Sequence, residues 1–168
     1  YYIRSVILSM ITMEELQGYP VADDKEIRDA HNKAISLIEH NVDEFFECFP
    51  GANSENNFYR QTENTDWTEG FWTGELWLAY ESNKDDKLKE AALCQVDNFL
   101  YRIEHHINTD HHDMGFLYSP TCVAAWKLVG SEKGKKHTTP KKILKKVSAT
   151  KNSARASNDT FYEYFIKK

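Results

Sequence analysis

Two stretches of this 168-residue sequence hold residue types that can do chemistry together. The first, "NTDWTEGFWTGELWLAYE" (64–81), sets Asp66 and Glu69 among Trp67, Phe71 and Trp72. The second, "INTDHHDMGFLYSP" (107–120), sets His111, His112 and Asp113 ahead of Gly115 and Phe116. Sugar rings stack their C–H faces on aromatic rings, while their hydroxyls need a few placed polar groups. Glycosidic hydrolysis needs carboxylates in such a cleft. Asp66 or Glu69 on one stretch and Asp113 on the other could supply them, with His112 tuning Asp113 or binding a sugar hydroxyl. Two plainer readings stand beside this one. Asp66 caps a helix while Phe71 and Trp72 fill a core, or the histidines line a solvated loop. A zinc site drawn from the same histidines and aspartates is disfavoured, because adjacent histidines point apart and no HExxH or cysteine pair supports it. No metal and no cofactor are expected.

The elements that must position these residues read as helices. Ile27, Ala30, Ala34, Leu37, Ile38, Val42 and Phe45 recur at helical steps over 23–47, with Asp23 or Asp24 as cap. A polar loop, "GANSENNFYRQTENTD", follows. A second helix is expected over about 68–81 and a third over about 85–106, joined by the turn "SNKDD". After the histidine loop, Ser119-Pro120 opens a fourth helix that Gly130 stops. No segment shows the period of a strand. The pattern is all-α with alternating short and long connections: helical hairpins whose long loops gather to build a site. Gly70 and Gly74 let another backbone approach.

Composition bounds the rest. Three widely spaced cysteines suit a reducing, cytoplasmic setting, and no apolar run has transmembrane length. Residues 132–168 hold 11 Lys and Arg against 3 Asp and Glu, while residues 1–131 hold 10 against 23. Such a split often marks a nucleic-acid arm. The basic segment has little apolar content, so disorder is expected there.

The two motifs, in this order and spacing, resemble those of the unsaturated glucuronyl hydrolases, glycoside hydrolase family 88, especially members from Gram-positive bacteria. "FPGANSENNFYR" fits as well, and the likeness covers about residues 20–131. It implies an (α/α)6 barrel, of which about two of six hairpins are present. It implies a metal-free glycosidase that takes 4,5-unsaturated uronic acid from the non-reducing end of lyase-generated oligosaccharides, as in glycosaminoglycan degradation. The double bond is protonated by an aspartic acid, water adds at C5, and the hemiketal opens to release the remaining sugar. By motif, Asp113 is the catalytic carboxylate that contacts the ring, His112 contacts substrate, and Trp67 lies near the uronate. Asp66, Trp72 and Phe116 complete the expected substrate-binding set.

The sequence also departs from the family pattern. The proton-donating aspartate belongs to a later Arg-x-Ile-Ile-Asp motif, preceded by a Gly-Gly-Phe-Ile-Gln-Ala-Trp-Gly run, and neither occurs in these residues. The expectation is therefore an N-terminal extension at 1–19, an enzyme's N-terminal part at 20–131, and a disordered or frameshifted tail at 132–168. Such a chain would be a truncated, inactive form. Its partners would be unsaturated uronyl oligosaccharides, with no nucleic acid and no membrane. Its polysaccharide, sulfation preference and oligomeric state are not legible. The alternatives are an unsaturated rhamnogalacturonyl hydrolase, or a non-catalytic helical carbohydrate- or protein-binding module with a basic tail.

Overall fold

The computed structural model describes residues 21–138. The expected N-terminal extension, and the basic segment beyond Thr138, lie outside the described residues. The chain divides into two compact units, Tyr1–Ile35 and Ser36–Lys168, and the packing that follows is that of the second. Helix α1 spans Asp24–Asn41. It opens with a reciprocal cap: Asp23 Oδ1 accepts the Lys25 and Glu26 amides, and the Glu26 carboxylate accepts the Asp23 amide. This is the arrangement that satisfies orphan donors at a helix start. The helix stops at Asn41, whose side-chain amide donates back to the Leu37 carbonyl. No residue of α1 is buried, and the core begins just beyond it, at Val42 and Phe45.

The segment after Phe45 corrects the all-helical expectation. Strands β1 (Phe49–Glu55) and β2 (Phe58–Thr62) pair antiparallel, with Glu55 opposite Phe58 and Phe49 opposite Thr62. Asn56 and Asn57 both take positive φ, 53° and 66°. Two left-handed residues between paired strands make the tight turn whose twist suits a hairpin. The strands escape a period-based reading because most of their residues are exposed. With neither face fully buried, no polar–apolar alternation is needed.

Two longer helices carry most of the core. Helix α2 spans Glu69–Asn83 and α3 spans Asp86–Glu104. Lys84 turns between them in the left-handed region, and Asp85 caps α3 by accepting the Lys87 amide. Leu76, Trp77 and Ala79 of α2 meet Leu88, Ala91, Ala92, Val96 and Phe99 of α3 in a buried layer. Two buried polar side chains there, Thr73 and Gln95, are paired. Thr73 donates to Gln95 Oε1 at 2.7 Å, and Gln95 Nε2 donates to the Phe45 carbonyl at 2.6 Å.

The last helical stretch starts earlier than expected. Helix α4 (Met114–Tyr118) runs into a π-helical turn at Ser119–Val123 and then α5 (Ala124–Val129). Pro120 thus sits inside a continuous helical path rather than at its start. A proline removes one ladder hydrogen bond, and a widened turn is one way to absorb that. Gly130, at φ 67°, ends α5 as expected. A short helix α6 (Glu132–Thr138) follows. A Cβ on its Gly134 would lie 2.6 Å from the Cys122 carbonyl oxygen, so this helix lies tight against the π turn. Cys122 is fully buried, and burial pushes its thiol pKa up to about 12.

Candidate functional site

Helix α2 is apolar on more than one side. Trp72, Leu76, Trp77 and Ala79 turn inward, whereas Phe71 and Leu78 stay exposed. An amphipathic surface helix would keep one polar face. At the N-terminal end of α2, the Phe71 ring meets Trp67 edge-on at 6.0 Å between centroids. Phe116, on α4, lies 5.7 Å from Phe71 and 6.4 Å from Trp67. All three rings are roughly half exposed. They form an open aromatic surface shared by the two sequence motifs.

Two glycines bring the motifs together. A Cβ on Gly70 would lie 2.2 Å from the Phe116 carbonyl oxygen and 2.8 Å from Leu117 Cα. A Cβ on Gly74 would lie 2.8 Å from the Pro120 Cβ. One turn of α2 therefore presents bare backbone to α4 and the π-helical turn that follows it, and the expected close approach at both glycines is found.

Asp113 stands three residues before Phe116, just ahead of the first turn of α4. It occupies the cap position, yet its side chain accepts no capping hydrogen bond. Two histidines flank it instead. His112 Nε2 lies 3.2 Å from Oδ1, and His111 Nδ1 lies 3.7 Å from Oδ2. His111 Nδ1 also accepts the Asp113 amide at 3.3 Å. That bond places the proton of neutral His111 on Nε2, which is buried with no partner. Asp113 is about one-fifth exposed and His112 about three-quarters. The site thus offers one sheltered carboxylate, one accessible imidazole and three rings.

Beneath the surface lies a buried arginine. Arg102 Nη1 donates to Asn64 Oδ1 at 2.7 Å and to the Asp66 carbonyl at 2.6 Å. Its Nε donates to the Ile107 carbonyl at 3.1 Å, and Nη2 to that of Asn108 at 3.0 Å. The Glu69 carboxylate is 3.8 Å away and equally buried. Glu69 Oε1 accepts the Asp66 amide, while Oε2 has no hydrogen-bond partner. Burial raises the Glu69 pKa, against the opposing pull of nearby backbone amides and Arg102. Burial likewise lowers that of Arg102.

Of the residues singled out in the sequence, Trp67 and Phe116 meet in the aromatic surface, and His112 and Asp113 pair with each other ahead of α4. Asp66 sits at the edge of the cluster, its Oδ1 accepting the Trp67 amide. Trp72 does not join them: it is buried, packs edge-on against Phe45 and donates its Nε1–H to the Phe45 carbonyl. Phe71, which could equally have been core, takes the exposed place. Glu69 is a buried support rather than an open carboxylate. Among the described residues, no group of three or more His, Cys, Asp or Glu is placed to hold a metal ion, and no helix is long and apolar enough to cross a membrane.

Fold and site together define a mostly helical protein with an exposed aromatic surface shared by its two motifs. No family model matches the chain. Over 108 residues, 64% of its length, it is 48% identical to an unsaturated chondroitin disaccharide hydrolase of Streptococcus agalactiae, covering 27% of that protein. Over 138 residues it is 38% identical to a protein of the same name from Streptococcus pneumoniae, spanning 79% of this chain and 35% of the relative. A crystal structure of an unsaturated glucuronyl hydrolase variant from Streptococcus agalactiae, complexed with dGlcA-GalNAc6S, matches 83% of this chain and 38% of that one. The TM-score is 0.74 at 38% identity. The chain is thus a relative of the unsaturated glucuronyl hydrolases, matched over their N-terminal part, and it spans about a third of the length of the curated relatives it matches.

Proposed function

We propose that this chain supplies the sugar-contacting part of a hydrolase for 4,5-unsaturated uronyl oligosaccharides of glycosaminoglycan origin. The Trp67–Phe71–Phe116 surface, with the histidine-flanked Asp113 three residues before Phe116 in the chain, is the observation that supports the reading. The ring of the unsaturated uronate stacks on the aromatics, which bind it through apolar C–H faces. His112 and Asp66 take polar groups at its edge. Protonation of the C4=C5 bond builds positive charge at C5 and the ring oxygen, and water then adds at C5. The hemiketal opens and the remaining sugar leaves. A carboxylate already held in place between two histidines stabilises that charge without reorganising. This is the role proposed for Asp113.

The proton donor belongs to another part of the fold. By the family resemblance it is an aspartate in a later motif that these 168 residues do not contain. In this reading the helices are the first hairpins of an (α/α)6 barrel, and the activity is cytoplasmic, in keeping with the free thiols of Cys48, Cys94 and Cys122. The 168-residue chain binds the sugar without turning it over, because a positioned proton transfer is worth about 10²–10⁴ in rate. The test follows the alkene's ultraviolet absorbance with unsaturated chondroitin disaccharide. The chain as given leaves the absorbance unchanged. A version extended through the family's later motifs consumes it, and Asp113→Asn in that version removes most of the activity. Turnover by the short chain that survives Asp113→Asn would refute the assignment.

A further inference from the structure

One side chain reaches both loops of the site. The first loop, 63–68, carries Asp66 and Trp67; the second, 105–113, carries His111, His112 and Asp113. Arg102, at the C-terminal end of α3, spends its fork on Asn64 and Asp66 of the first loop and on Ile107 and Asn108 of the second. Three of these four acceptors are main-chain carbonyls, so the guanidinium fixes backbone rather than side chains. The second loop needs such a hold, since His106 and Asn108 take positive φ of 57° and 41°. Non-glycine residues persist there only where their surroundings over-determine them. A direct tie between the loops adds to it: Asn108 Nδ2 donates to the Thr65 carbonyl at 2.8 Å.

We propose that Arg102 is a positioning residue of the sugar site, clamping the Trp67 loop and the Asp113 loop at one separation so that ring stacking and carboxylate contact are met by the same bound sugar. The inference rests on the function proposed above for its ligand, but the clamp itself does not. An arginine is required because its planar fork presents fixed donors in several directions, whereas a lysine ammonium is a single point. A clamp also predicts coupling: weakening its grip on one loop loosens the other.

Amide hydrogen exchange and calorimetric titration with unsaturated chondroitin disaccharide test this on the 168-residue chain. Arg102→Lys keeps the charge and loses the fork. It should speed exchange in both 64–67 and 105–113, leave 88–99 protected, and weaken disaccharide binding at least tenfold at a temperature where the variant is fully folded. If Arg102→Lys does not fold, Asn64→Ala carries the test, because it removes one acceptor from the first loop only. It should still speed exchange across 105–113. Faster exchange confined to 64–67, or tight binding by folded Arg102→Lys, would overturn the proposal. Wild-type chain that binds no disaccharide would refute the function proposed for the site, while the exchange result would still decide the clamp.

Discussion

Replacing Gly70 by alanine sets two effects against each other. In an exposed helix the change would gain about 1 kcal/mol of helix propensity. Here the new methyl would sit 2.2 Å from the Phe116 carbonyl oxygen, 2.8 Å from Leu117 Cα and 3.0 Å from the Phe116 carbonyl carbon. All three are backbone atoms, so no rotamer change relieves the clash. The first turn of α4 must retreat by about 1 Å, and a close-packed interior resists such shifts at about 1–3 kcal/mol, occasionally more. Crowding by three backbone atoms belongs at or above the top of that range, which leaves a net loss of about 2 kcal/mol. For a folded region of this size that lowers Tm by roughly 5–10 °C. The retreat also carries Phe116 and Asp113 away from Trp67, so intrinsic tryptophan fluorescence should change in the folded variant. Gly74→Ala should cost less, because its methyl meets the Pro120 ring rather than main chain. Thermal melts of both variants, followed by circular dichroism, decide the matter. A Tm for Gly70→Ala equal to or above wild type, or below it by less than for Gly74→Ala, would refute the packing argument.

Further expectations concern single side chains. Trp72→Ala should lower stability by about 3–5 kcal/mol, as for other buried aromatics, whereas Phe71→Ala should leave Tm within a few degrees and weaken disaccharide binding; denaturant melts and calorimetry read the two. Glu69 has a folded pKa above its ordinary value, so the native state holds its proton more tightly than the unfolded chain does. Its contribution is therefore fully present below the ordinary glutamate range and is lost as pH rises through the raised value. The stability of wild type relative to Glu69→Gln should fall across that interval, and a difference independent of pH would contradict the shift.

The helical frame was largely legible in sequence because its cues are local. The acidic cap at Asp23, the "SNKDD" turn and the Gly130 stop each depend on residues a few positions apart, and all three fall within the expected positions. The hairpin was not legible, since strands exposed on both sides carry no alternation. Pro120 resembled a helix start because local rules do not show that the preceding loop is already helical. Within the site, Asp113, His112, Trp67 and Phe116 were expected from the family resemblance. Phe71 and Trp72 could not be told apart: they are neighbours on a helix apolar on more than one side, and only its packing chooses which faces in. Arg102 left no signal at all. A lone arginine near a helix end reads as a solvated charge, and three of its four acceptors are carbonyls whose direction no side-chain pattern encodes.

The central claim is that Asp113 and the aromatic surface hold an unsaturated uronyl sugar as one site. Calorimetric titration of unsaturated chondroitin disaccharide into the 168-residue chain, with Asp113→Ala and Trp67→Ala alongside, tests it most directly. The account predicts saturable one-to-one binding by the wild type, weakened at least tenfold by either substitution while the fold is retained. Absence of binding by the wild type, or equal affinity in both variants, would contradict it.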